Sequence, residues 1–144
     1  FITKEKSFII PKKSVFNKIV GDSHLELEFA NFLEHCDDVV SYTKNFFPIN
    51  FKLDYINVDG GISNYYPDFI IKTNTGKVVI VETKGIEDLD VPLKMKRLNQ
   101  WVKDINSAQK EIVFDFVFVD EEKFKKYNLK NFVELLQIFV DYKG

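Results

Sequence analysis

Asp68, Glu82 and Lys84 are the residues of this chain whose types and spacing best suit chemistry. They stand in two short stretches, Pro67-Asp68 and Glu82-Thr83-Lys84, each bordering an apolar run, with Asn74-Thr75-Gly76 between them. Two carboxylates and an amine gathered at one sheet edge suit a divalent cation and the cleavage of a phosphodiester. Oxygen-only ligands favour a hard ion such as Mg²⁺, with Mn²⁺ as a substitute. Such an ion polarises a phosphoryl oxygen and acidifies a bound water. Lys84 would then orient that water or stabilise charge growing on the phosphate.

The hairpin that must position these residues can be read from its loop. A three-residue loop places its last residue in the left-handed region, where glycine is preferred, and Asn74-Thr75-Gly76 fits. Thr73 then pairs with Lys77 and, counting outward, Asp68 faces Glu82 with Cβ atoms about 5 Å apart. Alternation along the strand puts Lys84 on the face of Glu82 and turns Thr83 away. Two bare carboxylates at that spacing repel by about 3 kcal/mol at an effective dielectric near 20. A raised pKa on one acid, an ion pair with Lys84 or a bound cation would each relieve the repulsion. Pro67 lacks an N–H and holds Tyr66 extended, which favours a strand start or edge at Asp68. Pro-Asp is a common turn dipeptide and Glu-x-Lys occurs on many strands. Their joint placement across one hairpin carries the reading.

Around this hairpin the spacing predicts a helix over about 22–36, with Leu25, Phe29, Phe32, Leu33 and Cys36 on its apolar face. Ser23 and Glu26 stand at capping-box spacing. Alternation at Ile49, Phe51, Leu53 and Tyr55 predicts a strand, broken by a turn at Asp59-Gly60-Gly61. Two more strands follow over 65–72 and 77–82; the run 78–81 is apolar on both faces, as in a central strand. A helix over about 91–107 is entered at Pro92. A fourth strand covers 112–119, and 124–127 and 132–140 read as helical. Asp120-Glu121-Glu122 begins a helix, where negative charge suits the dipole. Lys12-Lys13 reads as a solvated turn. The order is helix, three strands, helix, strand, then helices.

The 144 residues suit one domain with a sizeable core, and an apolar content of 45% argues against disorder. A net charge of −2 leaves a nucleic-acid partner to a local basic strip. Cys36 is the only cysteine, so no intramolecular disulfide and no thiolate metal cluster is expected, in keeping with a cytoplasmic location. No run approaches the roughly 18 apolar residues of a membrane span, and the first ten residues do not read as a signal peptide. The chain lacks an initiator Met, which suggests a piece of a longer protein.

With these residues in view, Pro67-Asp68 followed by Glu82-x-Lys84 resembles the signature of the PD-(D/E)xK nucleases. Within them the chain is similar to the C-terminal endonuclease domain of the type III restriction enzyme Res subunit. The matching stretches are Ser23-His24-Leu25-Glu26 into Glu28-Phe29-Ala30, Lys44-Asn45, Tyr65-Tyr66-Pro67-Asp68-Phe69 and Val81-Glu82-Thr83-Lys84-Gly85, with Trp101 beyond. The resemblance implies an α/β fold with a restriction-endonuclease-like αβββαβ core over about 22–119, a central mixed sheet flanked by helices, and extra C-terminal helices. It makes residues 1–144 a single nuclease domain, a C-terminal piece of a restriction subunit. Asp68 and Glu82 become metal ligands with the Thr83 carbonyl as a third, and Lys84 positions the attacking water. An acidic residue of the first helix often completes such sites; Glu26 matches that place best and is taken as catalytic, with Glu28 second.

The resemblance also implies double-stranded DNA as substrate and two partners: a methyltransferase/recognition subunit and an ATP-driven motor. No GxxxxGK[ST] loop occurs in the chain, so ATP would act only through a motor outside it. Two further readings stay open: a nuclease-like module that binds DNA without cutting, serving a helicase, and a repair or transposition nuclease. Lys94, Lys96, Arg97 and Lys103 make the second helix basic, and Lys44, Lys96 and Arg97 are candidates for phosphate contact. Gln100 is a candidate for DNA contact and a candidate neighbour of the metal, and the solvated-face reading of this helix is equally open. His24, His35, Trp101, Tyr65 and Tyr66 read as packing or surface residues. Ser23 and Cys36 have no His partner at a spacing that suits nucleophilic catalysis.

Overall fold

Apolar side chains on both faces of Val78–Lys84 (β7) place that strand at the centre of the sheet. The computed structural model describes residues 8–9, 12–14, 19–20, 24–45, 51–85 and 88–144. Two short strands, β1 (Phe8–Ile9) and β2 (Ile19–Val20), pair with each other and precede α1 (His24–His35). Then come β3 (Val39–Lys44), β4 (Leu53–Ile56), β5 (Ile62–Tyr65), β6 (Phe69–Thr73), β7, α2 (Val91–Ala108), β8 (Phe114–Asp120), α3 (Glu121–Lys126) and α4 (Phe132–Ile138). The central sheet has the order β3-β6-β7-β8. Its first two pairings are antiparallel, and β7 and β8 run parallel across the α2 crossover. This mixed sheet with flanking helices is the α/β core expected.

Each face of the sheet carries its own core. Phe29 and Leu33 of α1 pack with Phe69, Ile71, Val79 and Val81, and Phe132 and Leu135 of α4 close the same cluster. Phe29 meets Phe69 and Phe124 at ring distances of 5.3 and 5.7 Å, within the range where aromatic pairs add to plain burial. On the opposite face Met95, Leu98 and Val102 of α2 cover Ile80, Phe116 and Phe118. Trp101 packs here too, edge-on against Phe51 and Phe114, as a core residue. α2 has Pro92 in its first turn, and the Asp120 side chain caps α3 by accepting from the Lys123 N–H at 2.9 Å.

The hairpin register matches the sequence reading. Phe69 opposes Val81, Ile70 opposes Ile80 and Lys72 opposes Val78, while Gly76 takes φ 84° at the end of the loop. The first strand of the core differs from expectation. It is Val39–Lys44, whereas the stretch read as that strand supplies β4, which among the described residues pairs only with β5, outside the central sheet. A bulge between Val39 and Ser41 breaks the two-residue period that would mark β3 as a strand. Lys12 and Lys13 are not a free solvated turn either. Their N–H groups donate to Glu34 at 2.9 and 3.3 Å, and the Lys13 ammonium donates to the carbonyls of Leu33 and Cys36 at the end of α1. Ser23, and with it the expected cap, lies outside the described residues, as does Ile49.

Candidate active site

β7 and β8 end side by side, with Lys84 opposite Asp120, and there the sheet opens into a cleft of about 530 Å³. Glu26 of α1, Asp68, Glu82, Thr83 and Lys84 line it, joined by Glu121 at the start of α3. The crevice beyond the carboxyl ends of parallel strands is where open α/β sheets bind ligands. Residues more than fifty positions apart in sequence thus face one space.

Asp68 stands in a bend just before β6. Its N–H donates to the Val81 carbonyl at 2.9 Å, and its carbonyl accepts from the Asn45 N–H at 2.7 Å. The paired ladder ends at Phe69, one residue short of Asp68. The Asp68 carboxylate turns to Thr83, accepting from the N–H and the hydroxyl, both at 2.8 Å. Thr83, expected to point away, is the direct partner of Asp68. The physical reason is the bend: once pairing stops, alternation no longer dictates where a side chain goes.

Glu82 is 6% exposed. Its Oε1 accepts from the Tyr65 hydroxyl at 3.1 Å. Burial, then repulsion from Asp68, pushes the Glu82 carboxyl well above its usual range, against the pull of Tyr65, Lys94 and Lys84. Half-buried Asp68 is pushed up to about 6, by burial and then by Glu26, against its Thr83 bonds and Lys44. Across the cleft Asp68 thus acts on Glu82, and Glu26 acts on Asp68. Glu26 is buried and pairs with Lys44 at 3.0 Å, whereas Glu28 pairs with His24 at 2.7 Å on the outside of α1. Of the two α1 acids, the cleft holds Glu26. Lys84 is partly exposed and lies 3.5 Å from Asp88.

The basic residues of α2 divide. Lys96, Arg97 and Gln100 line a separate cavity of about 560 Å³, shared with Asp54, Ile56 and Ile62 of the β4–β5 hairpin. There the Arg97 Nε donates to the Asp54 carbonyl at 3.0 Å, and the Gln100 amide donates to Asp104 at 2.8 Å. Gln100 is thus not brought to the carboxylates. Lys94 is the α2 cation that acts on Glu82, with its Nζ 5.7 Å from the Tyr65 ring centroid. Tyr65, Lys94 and Glu121 are the lining or supporting residues that the sequence reading did not place in the site. The available signal was Tyr65 itself: a buried tyrosine needs a partner for its hydroxyl. Burial pushes the Cys36 thiol up to about 12, which leaves it inert near neutral pH.

The donor set fits a hard divalent cation. Asp68 and Glu82 offer only oxygen, and their mutual repulsion is what a cation would relieve. Among the described residues no three His, Cys, Asp or Glu side chains form a ready-made cage.

Among the described residues no helix is long and apolar enough to cross a membrane. No curated protein and no solved structure matches the chain. A family model described as an endonuclease domain matches residues 12–110, from the segment before α1 to just past α2. That span is more than half of the chain and contains Glu26, Asp68, Glu82 and Lys84, so the chain belongs to this family as a restriction-endonuclease-like nuclease domain.

Proposed function

We propose that this chain is the metal-dependent endonuclease domain of a type III restriction enzyme, hydrolysing phosphodiester bonds of double-stranded DNA in the cytoplasm. The observation that carries the reading is the pair of shielded carboxylates, Asp68 and Glu82, each raised in pKa beside the other around a cleft that also receives Lys84. A fold gains no stability from keeping two such acids together, and a cation between them supplies the reason. Asp68 and Glu82 would hold Mg²⁺, or Mn²⁺ in its place, with the Thr83 carbonyl as a further ligand. When bound, the ion supplies Lewis-acid chemistry and an acidified water.

The chain's own residues do the rest. Thr83 holds the Asp68 carboxylate in place through two hydrogen bonds. Lys84 orients the attacking water and offers positive charge to the phosphate as it gains negative charge. Glu26 adds a third acid, steadied by Lys44. Lys44, Lys96 and Arg97 are the candidates for DNA phosphate contact. The last two lie in the cavity beside the β4–β5 hairpin, as does Gln100. The type III assignment rests on the stretches Tyr65–Phe69 and Val81–Gly85, and it makes a motor domain and a methyltransferase/recognition subunit the partners.

The direct test is Mg²⁺- or Mn²⁺-binding calorimetry on the native chain, Asp68→Ala and Glu82→Ala, followed by plasmid cleavage in the assembled enzyme. Binding lost in both variants supports the shared site. Binding that survives both places the metal elsewhere and overturns the reading.

A further inference from the structure

Tyr65 closes β5, a strand that among the described residues pairs only with β4 and forms no part of the central sheet. Its side chain is 2% exposed, and its hydroxyl donates to Glu82 Oε1 at 3.1 Å. Among the described residues this is the hydrogen bond by which the appended hairpin holds the carboxylate of β7. Lys94 lies over the same ring, 5.7 Å from its centroid, and 6.0 Å from that of Tyr55. The ring is thus fixed from α2 while its hydroxyl fixes Glu82. A carboxylate with one oxygen held in this way has lost a rotation, and Glu82 as a residue lines the cleft.

We infer that Tyr65 is a positioning residue for Glu82, holding Oε1 so that Oε2 is presented to a divalent cation in the cleft. The inference rests on the metal-site reading above. Partners that orient a ligating carboxylate are worth about ten- to a hundredfold in metal affinity or activity. Had Tyr65 only a packing role, its hydroxyl would contribute to stability and leave the cation's affinity alone.

The test is calorimetric titration with Mn²⁺ of the native chain, Tyr65→Phe, Tyr55→Phe and Glu82→Gln at neutral pH. Tyr65→Phe keeps the ring and its contact with Lys94 and removes only the hydroxyl. A loss of about tenfold or more in affinity is expected. Tyr55→Phe is the control: it removes a hydroxyl from the same hairpin, one that donates to Asp90 at 2.9 Å away from the carboxylates, and native affinity is expected. Glu82→Gln separates the two ideas. If it binds like the native chain, the metal-site reading fails and Tyr65 falls with it. If it loses binding while Tyr65→Phe keeps native affinity, the site stands and Tyr65 is merely packed.

Should Tyr65→Phe not fold, the native chain answers alone. Labelled at tyrosine Cζ, it should show one ring signal that shifts on Mg²⁺ addition and does not shift in Glu82→Gln. No such signal would overturn the inference.

Discussion

At the turn end of the β6–β7 hairpin, the Thr73 N–H donates to the Lys77 carbonyl at 2.9 Å, and Lys77 pairs with Asp115 at 3.5 Å in a partly exposed contact of opposite charges. At the other end of the same two strands, Asp68 and Glu82 meet as like charges shielded from water. The paired ladder runs from Phe69 to Lys72 and closes without help from the acids. The turn end does what folding asks. The carboxylate end opposes folding, and its retention is explained by binding. Local conflicts of this kind concentrate at functional sites.

The widest separation between the two ends should come from Asp68→Ala. In the assembled enzyme it should lower metal-dependent cleavage about a thousandfold or more, the loss of several kcal/mol of transition-state stabilisation. The initial rate on plasmid checks it; activity within tenfold of native would place the chemistry elsewhere.

A second contrast is in stability. The folded chain binds the Asp68 proton more tightly than the unfolded chain, since the group rises from 3.8 to about 6. Stability from this group is therefore complete below pH 3.8, falls as pH rises towards 6, and stays lowered above. Asp68→Asn should stabilise the metal-free chain by about 2 kcal/mol near pH 8, after allowance for partial solvent screening, and by nothing near pH 3. Urea melts at both values would show it; an equal effect at both would remove ionisation as the cause. By the same proton competition, Mn²⁺ affinity should rise through pH 6.

Next in size is Lys84→Ala. It should lower cleavage about a hundredfold while metal affinity stays near native, because the amine acts on the phosphate and not on the ion. Paired kinetics and calorimetry read both quantities, and an equal fall in each would make Lys84 part of the metal site itself. The smallest effect belongs to the turn end. Gly76→Ala meets no atom within 4 Å but must adopt φ 84°, so it should cost about 1 kcal/mol and leave metal affinity untouched. Any change in affinity would show that the two ends are coupled.

Much of this was legible from residue order. Asn74-Thr75-Gly76 fixed the loop length and thereby the register, and the two-sided apolar run of β7 named the central strand. β3 was not legible, because its bulge destroys alternation and its edge position leaves Val40 exposed. Asp68 lines a cleft with Glu82, but its bonds to Thr83 were not legible, since a bend at a strand's start answers to local hydrogen bonds and not to periodicity. The Tyr65–Glu82 bond was beyond reach for another reason: it depends on where the β4–β5 hairpin docks. Glu26 and Glu28 lie on the same helix two residues apart, and burial in the cleft and the pair with Lys44 at the end of β3 distinguish Glu26.

The segment before α1 has a bearing on how the protein behaves in a crowded solution. Tyr42 on the open side of β3 donates its N–H to the Lys13 carbonyl at 3.2 Å, and Ser14 bridges to Tyr42 in parallel. That contact covers part of a sheet margin which would otherwise offer backbone groups to a second molecule. A chain shortened to begin at α1 would keep Asp68, Glu82 and Lys84 yet bare this margin. The expected consequence is pairing between copies along this margin, read as self-association in solution.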